Sequence, residues 1–194
     1  HDEVKGYATA LLGHSEGGLF AIATAAMSSA ARAPYALVLA GTPGRRMGDI
    51  IRSQLQRAAP QLVEPAERIM AEIRRTRHVP AEVPRELAVY FPPYIGAFLQ
   101  GELNFDPAAA LSGLQQPCLL LQGSADQQVV PLDDIQPLLD ALSKRSAPGE
   151  AALFPLVSHN FKPVAGPGDP GFAGPIATPV GDKLAAWLAA TLGA

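Results

Sequence analysis

The sequence predicts an α/β protein built on a mostly parallel β-sheet, because short apolar runs alternate along the chain with segments of helical periodicity. The apolar runs are nearly continuous, which is typical of strands that are covered on both faces. Helices that connect such strands make right-handed crossovers and flank the sheet, as in doubly wound folds. About four strands are predicted, at residues 7–13, 34–41, 116–123 and 150–157.

The segments that connect these strands carry helix signals. Residues 16–30 have small apolar side chains at helical spacing, which predicts a tightly packed helix after the first strand. Residues 131–145 begin with Pro131 and end with basic residues, as the termini of helices prefer. Residues 179–193 form a closing amphipathic helix, and the Gly- and Pro-rich stretch 162–179 is expected to be a long loop.

An insertion interrupts this alternation, since residues 41–115 are too many for one crossover between neighbouring strands. It contains three helix-like pieces separated by prolines, and we predict a helical cap at residues 41–104. The remaining residues, 1–40 and 105–194, form the predicted core, which is incomplete at its N-terminus.

Two groups of side chains in the cap admit two interpretations each. Its arginines favour a solvated helix face, with a clamp for an anionic substrate as the alternative. They are Arg68, Arg74, Arg75 and Arg77. Its apolar cluster forms either the core of the cap or the wall of an acyl pocket. The cluster comprises Phe91, Tyr94, Ile95, Phe98 and Leu99.

Composition argues against several classes of function. The 194 residues carry a net charge of −3 and 6% aromatic side chains, so nucleic-acid binding is not expected. No apolar run approaches the roughly 18 residues of a membrane span. The sequence has no metal-binding motif and no Gly-rich dinucleotide or phosphate loop, so neither a metal nor a cofactor is predicted. The single cysteine, Cys118, is expected to be a buried core residue. No cellular compartment is indicated.

Residues 13–17 read GHSEG and match the pattern G-x-S-x-G between a predicted strand and a predicted helix. In a nucleophile elbow the serine occupies a strained turn that lifts its hydroxyl above the edge of the sheet. We expect glycine at Gly13 and Gly17 because a Cβ there would collide with the neighbouring strand or helix. The backbone N–H of Glu16 is expected to point at the same spot, near the positive end of the helix dipole. The alternative is a glycine-rich turn with an idle serine.

With this motif in this setting, the chain resembles the α/β-hydrolases, within the branch of capped esterases and serine aminopeptidase-like enzymes. The resemblance covers the second half of that fold, from the nucleophile strand to the C-terminal helix, and so nearly all of the chain. It implies that Ser15 is a nucleophile and that its partners follow in the order acid, then histidine.

The proton acceptor for Ser15 is predicted among four histidines. His159 follows the last predicted strand, where the resemblance implies the histidine of the triad. His14 is expected to pack beneath the turn, and His78 to be a solvated residue at the end of a basic cap helix. His1 is the first residue of the chain.

The acid of the triad is predicted to be Asp126. Its apolar strand, glycine turn and following valine resemble the acid loop of the family. Asp49 is the rival, since it follows the second predicted strand. Three further aspartates fall within the next helix and are interpreted as surface or capping charges. They are Asp133, Asp134 and Asp140.

The resemblance implies a carboxylic-ester hydrolase that acts on small or medium acyl esters through an acyl-enzyme. Ser15, Asp126 and His159 form the implied triad, and the N–H of Glu16 is the implied oxyanion donor. A peptidase or amidase is the alternative enzyme, because the same triad cleaves amides. A binding or signalling module of the same fold is the alternative without catalysis.

The N-terminal strands of the family, and the loop that supplies its second oxyanion donor, have no counterpart in the sequence. The strand at residues 7–13 would then be an exposed edge, which soluble proteins avoid. We therefore expect it to pair with a missing N-terminal segment of a longer enzyme, or with a symmetric partner chain. The chain alone is expected to be feebly active at most, since losing one oxyanion donor costs about 10²–10³ in turnover.

Overall fold

The computed structural model describes residues 8–29, 32–166 and 169–193. The chain divides into two compact units. The sheet unit comprises His1–Gly44 and Pro107–Ala194, and the helical unit comprises Arg45–Asp106. The helical unit is therefore one continuous insertion within the sheet unit. Its role as a cap stays a prediction.

The described residues form one four-stranded parallel sheet in the order β1-β2-β3-β4, so each strand pairs with its neighbours along the chain. This confirms the predicted α/β class and the parallel sheet. β2 and β3 are buried at every residue, as their nearly continuous apolar sequences predict. The strands are β1 (Ala10–His14), β2 (Ala36–Ala40), β3 (Cys118–Gly123) and β4 (Gly149–Phe154).

Helices cover both faces of this sheet. The helices of the sheet unit are α1 (Glu16–Met27), α5 (Pro107–Ser112), α6 (Gln136–Lys144) and α7 (Thr178–Leu192). Val38 and Leu121 pack with Val180 of α7 on one face. Because side chains alternate along a strand, Leu39 and Leu120 point to the other face, where right-handed crossovers bring α1, α5 and α6 together. Burial of each such side chain contributes about 1.5–3 kcal/mol.

The predicted strands and the predicted closing helix agree with the observed ones to within about three residues at each end. Residue 7 of the first predicted strand and residue 30 of the first predicted helix lie outside the described residues. The helix predicted from Pro131 begins with a π-helical turn, Pro131–Ile135, before α6. Pro137 has no N–H to donate to the carbonyl of Asp133, four residues earlier, so one bond of the α-helical pattern is missing at this turn. The carbonyl of Asp134 accepts the N–H of Gly44 at 2.7 Å.

The helical unit has a hydrophobic core of its own, formed by buried residues of three helices and the segments between them. Its helices are α2 (Met47–Ala58), α3 (Val63–Thr76) and α4 (Gly96–Asn104). Phe91 and Leu99 lie in this core, whereas Tyr94 and Phe98 are exposed. No helix in the described ranges is long and apolar enough to cross a membrane.

Two arginines of the predicted basic group form ion pairs on the surface of the helical unit. Arg68 pairs with Glu64, and Arg75 pairs with Glu72, both within α3. These two arginines therefore lie on a solvated helix face, as interpreted from the sequence.

The two ends of the helical unit are joined by an ion pair. The guanidinium of Arg46 donates two hydrogen bonds to Oδ2 of Asp106, at 3.1 and 3.3 Å. Because these residues stand next to the two boundaries of the unit, the chain enters and leaves it at neighbouring positions.

β1 lies at an edge of the sheet. Among the described residues it pairs with β2 alone, and Leu12 in its middle is 48% exposed. An exposed edge presents unpaired backbone groups to other strands. Pairing of this strand with a further segment or a partner chain stays a prediction.

Cys118 is expected to resist alkylation in the native protein. It is fully buried in β3, and burial raises the pKa of its thiol to about 11. Because the thiol is neutral below that pKa and the thiolate is the reactive form, iodoacetamide at about pH 8 should leave it unmodified. Mass spectrometry of native and urea-unfolded samples measures this. Rapid, complete alkylation of the native protein would contradict the expectation.

Candidate active site

The turn between β1 and α1 holds Ser15 in a strained backbone conformation. Its φ and ψ are 56° and −127°, a region that costs a non-glycine residue about 1–3 kcal/mol. The N–H of Ser15 donates to the carbonyl of Ala40 at 2.8 Å, and Gly18 donates to the carbonyl of Ser15 at 3.0 Å. The hydroxyl of Ser15 makes no capping hydrogen bond to α1. Backbone hydrogen bonds thus hold the serine at this turn and leave its hydroxyl out of the helix cap, as a nucleophile elbow requires.

The steric need for glycine falls on Gly13 and Gly18. A Cβ at Gly13 would lie 2.2 Å from the carbonyl oxygen of Gly17, a collision that the sequence predicted. A Cβ at Gly18 would lie 1.9 Å from Oγ1 of Thr42. The steric reason expected for Gly17 is wrong, because a Cβ there meets no heavy atom of the described residues within 4 Å. Gly17 lies on the half-exposed side of the first helical turn, whereas Gly18 faces the buried end of β2.

Glu16 is the first residue of α1, so its N–H has no acceptor within the helix. The same end of the helix carries the positive pole of the backbone dipole. The side chain of Glu16 is exposed. Its N–H as an oxyanion donor stays a prediction.

Asp126 follows β3 and has a fully buried carboxylate, with 0% of its side chain exposed. Its Oδ1 accepts the backbone N–H groups of Gln128 at 2.8 Å and Val129 at 2.9 Å. Its Oδ2 accepts from Nε2 of Gln122 at 3.0 Å and from Nδ1 of His159 at 2.8 Å. These donors replace the hydration that the carboxylate loses on burial and fix its orientation.

His159 lies on the loop after β4, and its side chain is 8% exposed. Because the carboxylate of Asp126 only accepts, Nδ1 of His159 carries the proton of their hydrogen bond. Nε2 of the neutral ring is then an acceptor. This is the tautomer that can take a proton from a hydroxyl group.

The loop that carries His159 is strained at two positions and is held by backbone hydrogen bonds. Leu156 and Phe161 have φ values of 55° and 57°, each costly for a side chain with a Cβ. Ser158 donates its N–H to the carbonyl of Lys162 at 2.9 Å. Such a loop keeps its shape because its surroundings impose it.

Ser15 and His159 both border the end of β2. The N–H of Ser15 bonds to the last residue of that strand, Ala40. A Cβ at the next residue, Gly41, would lie 3.4 Å from Nδ1 of His159 and 3.6 Å from Oδ2 of Asp126. The three residues predicted as a triad are therefore at one edge of the sheet, with Asp126 and His159 in direct contact. Within the described ranges, no hydrogen bond joins the Ser15 hydroxyl to His159.

The expected place of His14 beneath the turn is wrong. Alternation along β1 buries Gly13 and exposes His14. Nε2 of His14 lies 2.9 Å from the backbone carbonyl oxygen of His159. The two imidazole rings are 4.8 Å apart between centroids, and Phe161 is 5.9 Å from His14. His14 thus contacts the loop of the predicted base.

The other histidines and the rival acid lie in different settings. His78 is exposed, and its Nδ1 lies 2.8 Å from the carbonyl oxygen of Thr76, in keeping with a solvated residue at the end of α3. His1 lies outside the described residues. Asp49 lies in α2 of the helical unit, where Arg52 donates to it at 2.7 Å.

The aspartates after Asp126 are surface or capping charges, as interpreted from the sequence. Asp133 and Asp140 are exposed, and Asp140 accepts from the side chain of Gln136. Asp134 is buried, and its Oδ2 accepts the N–H of Val130 at 2.7 Å. Across the part of the chain that the structure describes, no group of three His, Cys, Asp or Glu side chains could hold a metal ion.

Several solved structures are similar to this chain in fold. The esterase domain of a Rhodothermus marinus protein matches with a TM-score of 0.52 and 17% identity, over 93% of this chain and 60% of that one. The Mycobacterium tuberculosis protein BpoC, described as a non-heme bromoperoxidase, gives 0.49 and 16%, over 99% of this chain and 68% of that one. No protein-family model and no curated protein matches the chain.

The part of this chain that matches the esterase domain covers 93% of its residues, and the described residues of the chain form the four-stranded parallel sheet. The chain has a partial α/β-hydrolase fold. At 17% identity the likeness concerns the fold, and the chain spans about 60% of the length of that esterase domain.

In this α/β-hydrolase fold, the contacts of two side chains, Gln122 and His14, escaped the sequence analysis. Gln122 donates to Asp126, and it also donates to the carbonyl of Val129 at 3.1 Å. The sequence did carry a signal for Gln122, because a polar side chain in an otherwise apolar buried strand needs a hydrogen-bond partner. The contact of His14 with the backbone of His159 joins residues 145 apart in the chain, and no local pattern predicts it.

Proposed function

We propose that the protein is a serine hydrolase that cleaves carboxylic esters through an acyl-enzyme. Ser15 is the nucleophile, His159 the base and Asp126 the acid that orients it. The observation that carries this proposal is the buried Asp126–His159 pair, joined at 2.8 Å beside the strained turn of Ser15. A buried carboxylate that fixes the tautomer of an imidazole at the same sheet edge as a serine elbow is the arrangement of acyl-transfer enzymes.

In the proposed reaction, Oγ of Ser15 attacks the ester carbonyl carbon while Nε2 of His159 takes the hydroxyl proton. The carbonyl oxygen becomes an oxyanion, to which the N–H of Glu16 donates. When the ester C–O bond breaks, His159 returns the proton to the leaving alcohol. Water then attacks the acyl-serine with the same imidazole as base, which releases the carboxylic acid and restores Ser15.

Asp126 contributes by holding the ring and by stabilising its charged form. Once His159 accepts the proton, the imidazolium faces a carboxylate that is shielded from water, so their attraction is larger than on the surface. The donors from Gln122, Gln128 and Val129 keep that carboxylate in place. The pair is therefore preorganised before the substrate binds.

Fluorophosphonate labelling tests the proposal with a single chemical event. The probe should attach covalently to Ser15, as mass spectrometry of the peptide that contains it measures, and Ser15→Ala should remove the label. Ser28→Ala is the matched control, because the hydroxyl of Ser28 bonds to the carbonyl of Thr24 in the same unit. It should label like the wild type. A probe that leaves Ser15 unmodified would contradict the proposal and favour a non-catalytic module.

The choice between esters and amides needs a second measurement. We expect kcat/KM for p-nitrophenyl esters of short acyl chains to exceed that for the matching aminoacyl amides. The reverse order would support the peptidase or amidase alternative while leaving the role of Ser15 intact.

A further inference from the structure

A side chain one residue before the predicted nucleophile contacts the backbone of the predicted base. Nε2 of His14 lies 2.9 Å from the carbonyl oxygen of His159. Because a carbonyl only accepts, the Nε2 atom of His14 is the donor. The imidazole rings of the two residues also stack in a tilted arrangement, with centroids 4.8 Å apart.

We propose that His14 is a positioning residue that sets the distance between the imidazole of His159 and the hydroxyl of Ser15. This inference rests on the proposed function. His14 is bonded covalently to Ser15 and by hydrogen bond to His159, so it links the two residues directly. Asp126 fixes the other side of the ring, at Nδ1. His159 is thus held at two points, by Asp126 at Nδ1 of the imidazole and by His14 at the backbone carbonyl of His159.

The loop of His159 is strained on both sides of that residue. Leu156 and Phe161, on either side of His159, both have positive φ. The C-terminal side of the loop is tied to the Gly- and Pro-rich stretch, since Ala177 donates its N–H to the carbonyl of Phe161 at 2.8 Å. The contact from His14 ties the loop to the elbow strand instead. Without it, the carbonyl of His159 loses its donor from β1, and the loop can shift relative to Ser15.

Three variants separate the hydrogen bond from the ring. His14→Gln retains an N–H donor at nearly the same reach as Nε2 of histidine, whereas the donor of His14→Asn is shorter by one carbon. His14→Ala removes both the donor and the ring. Since a displacement of about 1 Å can cost 10²-fold in rate, the maximal rate of fluorophosphonate labelling at Ser15 should fall by about 10²-fold in the Ala and Asn variants. His14→Gln should restore most of it, and the probe concentration at half-maximal rate should change little in all three.

A second readout does not depend on the reactivity of Ser15. The proton on Nδ1 of His159 should give a downfield NMR resonance in the wild type, because it is buried against Asp126. In His14→Ala that resonance should broaden through faster exchange with water, and His14→Gln should sharpen it again. Thermal melts verify that each variant is folded. If the Ala variant does not fold, the comparison of the Gln and Asn variants tests the positioning role.

The outcomes distinguish this inference from the proposed function. A wild type that does not label contradicts the proposed function, while the NMR comparison still tests His14. Equal labelling rates in the wild type and the Ala variant, or equal rates in the Gln and Asn variants, overturn the positioning role. An unchanged Nδ1 resonance in His14→Ala overturns it as well.

Discussion

Replacement of Asp126 by asparagine is expected to lower the rate of fluorophosphonate labelling at Ser15 by about 10³–10⁴-fold, since the acid of a serine triad contributes about 10⁴ to turnover. The change preserves the shape of the side chain and removes one acceptor. Rapid-quench labelling followed by mass spectrometry measures the rate.

Neither orientation of the asparagine amide fits its surroundings. An NH₂ group in place of Oδ2 faces the donors of Gln122 and His159, and it forces His159 into the tautomer that cannot take the serine proton. An NH₂ group in place of Oδ1 faces the backbone N–H groups of Gln128 and Val129. Either conflict leaves a buried donor unsatisfied, so the variant should also lose about 1–3 kcal/mol in its free energy of unfolding.

Asp133→Asn is the matched control for this experiment. Asp133 lies seven positions further along the same connection, and it is exposed. The same chemical change there should leave both the labelling rate and the stability close to those of the wild type. A labelling rate in Asp126→Asn within a few-fold of the wild type would contradict the role assigned to Asp126.

Replacement of Gly13 by alanine is expected to destabilise the sheet unit severely. The added Cβ would lie 2.2 Å from the carbonyl oxygen of Gly17, 2.4 Å from its carbonyl carbon and 2.5 Å from the nitrogen of Gly18. All three are backbone atoms in the first turn of α1, so no side-chain rotation relieves the overlap. We expect a loss of about 3 kcal/mol or more in the free energy of unfolding, at the upper end for an overpacked core. Urea titration followed by circular dichroism measures it.

Two glycines of the same chain serve as controls for this loss. Gly17 and Gly101 both lie in helices, and a Cβ at either meets no heavy atom of the described residues within 4 Å. Alanine at Gly101 should stabilise α4 by about 0.5–1 kcal/mol, because glycine is a poor helix former. Alanine at Gly17 should be tolerated. A Gly13→Ala variant as stable as the wild type would contradict this expectation, because it would mean that the turn can move away from the added Cβ.

The fold could be predicted from the sequence because its signals are local. Apolar runs of strand length gave β1 to β4, and glycine spacing around Ser15 predicted the tight turn and its strain. The π-helical start before α6 was not predicted. Its residue Asp134 accepts a hydrogen bond from Gly44, which is remote in sequence, and no local pattern predicts such a contact.

The residues of the candidate triad could be predicted from the sequence, whereas the residues that contact and position them could not. Asp126 and His159 each follow a strand, and the ends of parallel strands meet at one edge of a sheet. His14 was expected beneath the turn, but alternation along β1 places it on the face opposite to the buried Gly13, where it is exposed. The contrast between Gly17 and Gly18 depends on Thr42, which the sequence places far from the elbow.

The ion pair between Arg46 and Asp106 has a consequence for how this protein can diversify. Because the two ends of the helical unit lie side by side, the whole unit can be exchanged for another insertion. An exchange at this position leaves the strands before and after it in register. Lengthening such an excursion adds little closure entropy, about 0.6 kcal/mol for each doubling. The helical unit can therefore be replaced, in evolution or by design, with little change to the sheet unit.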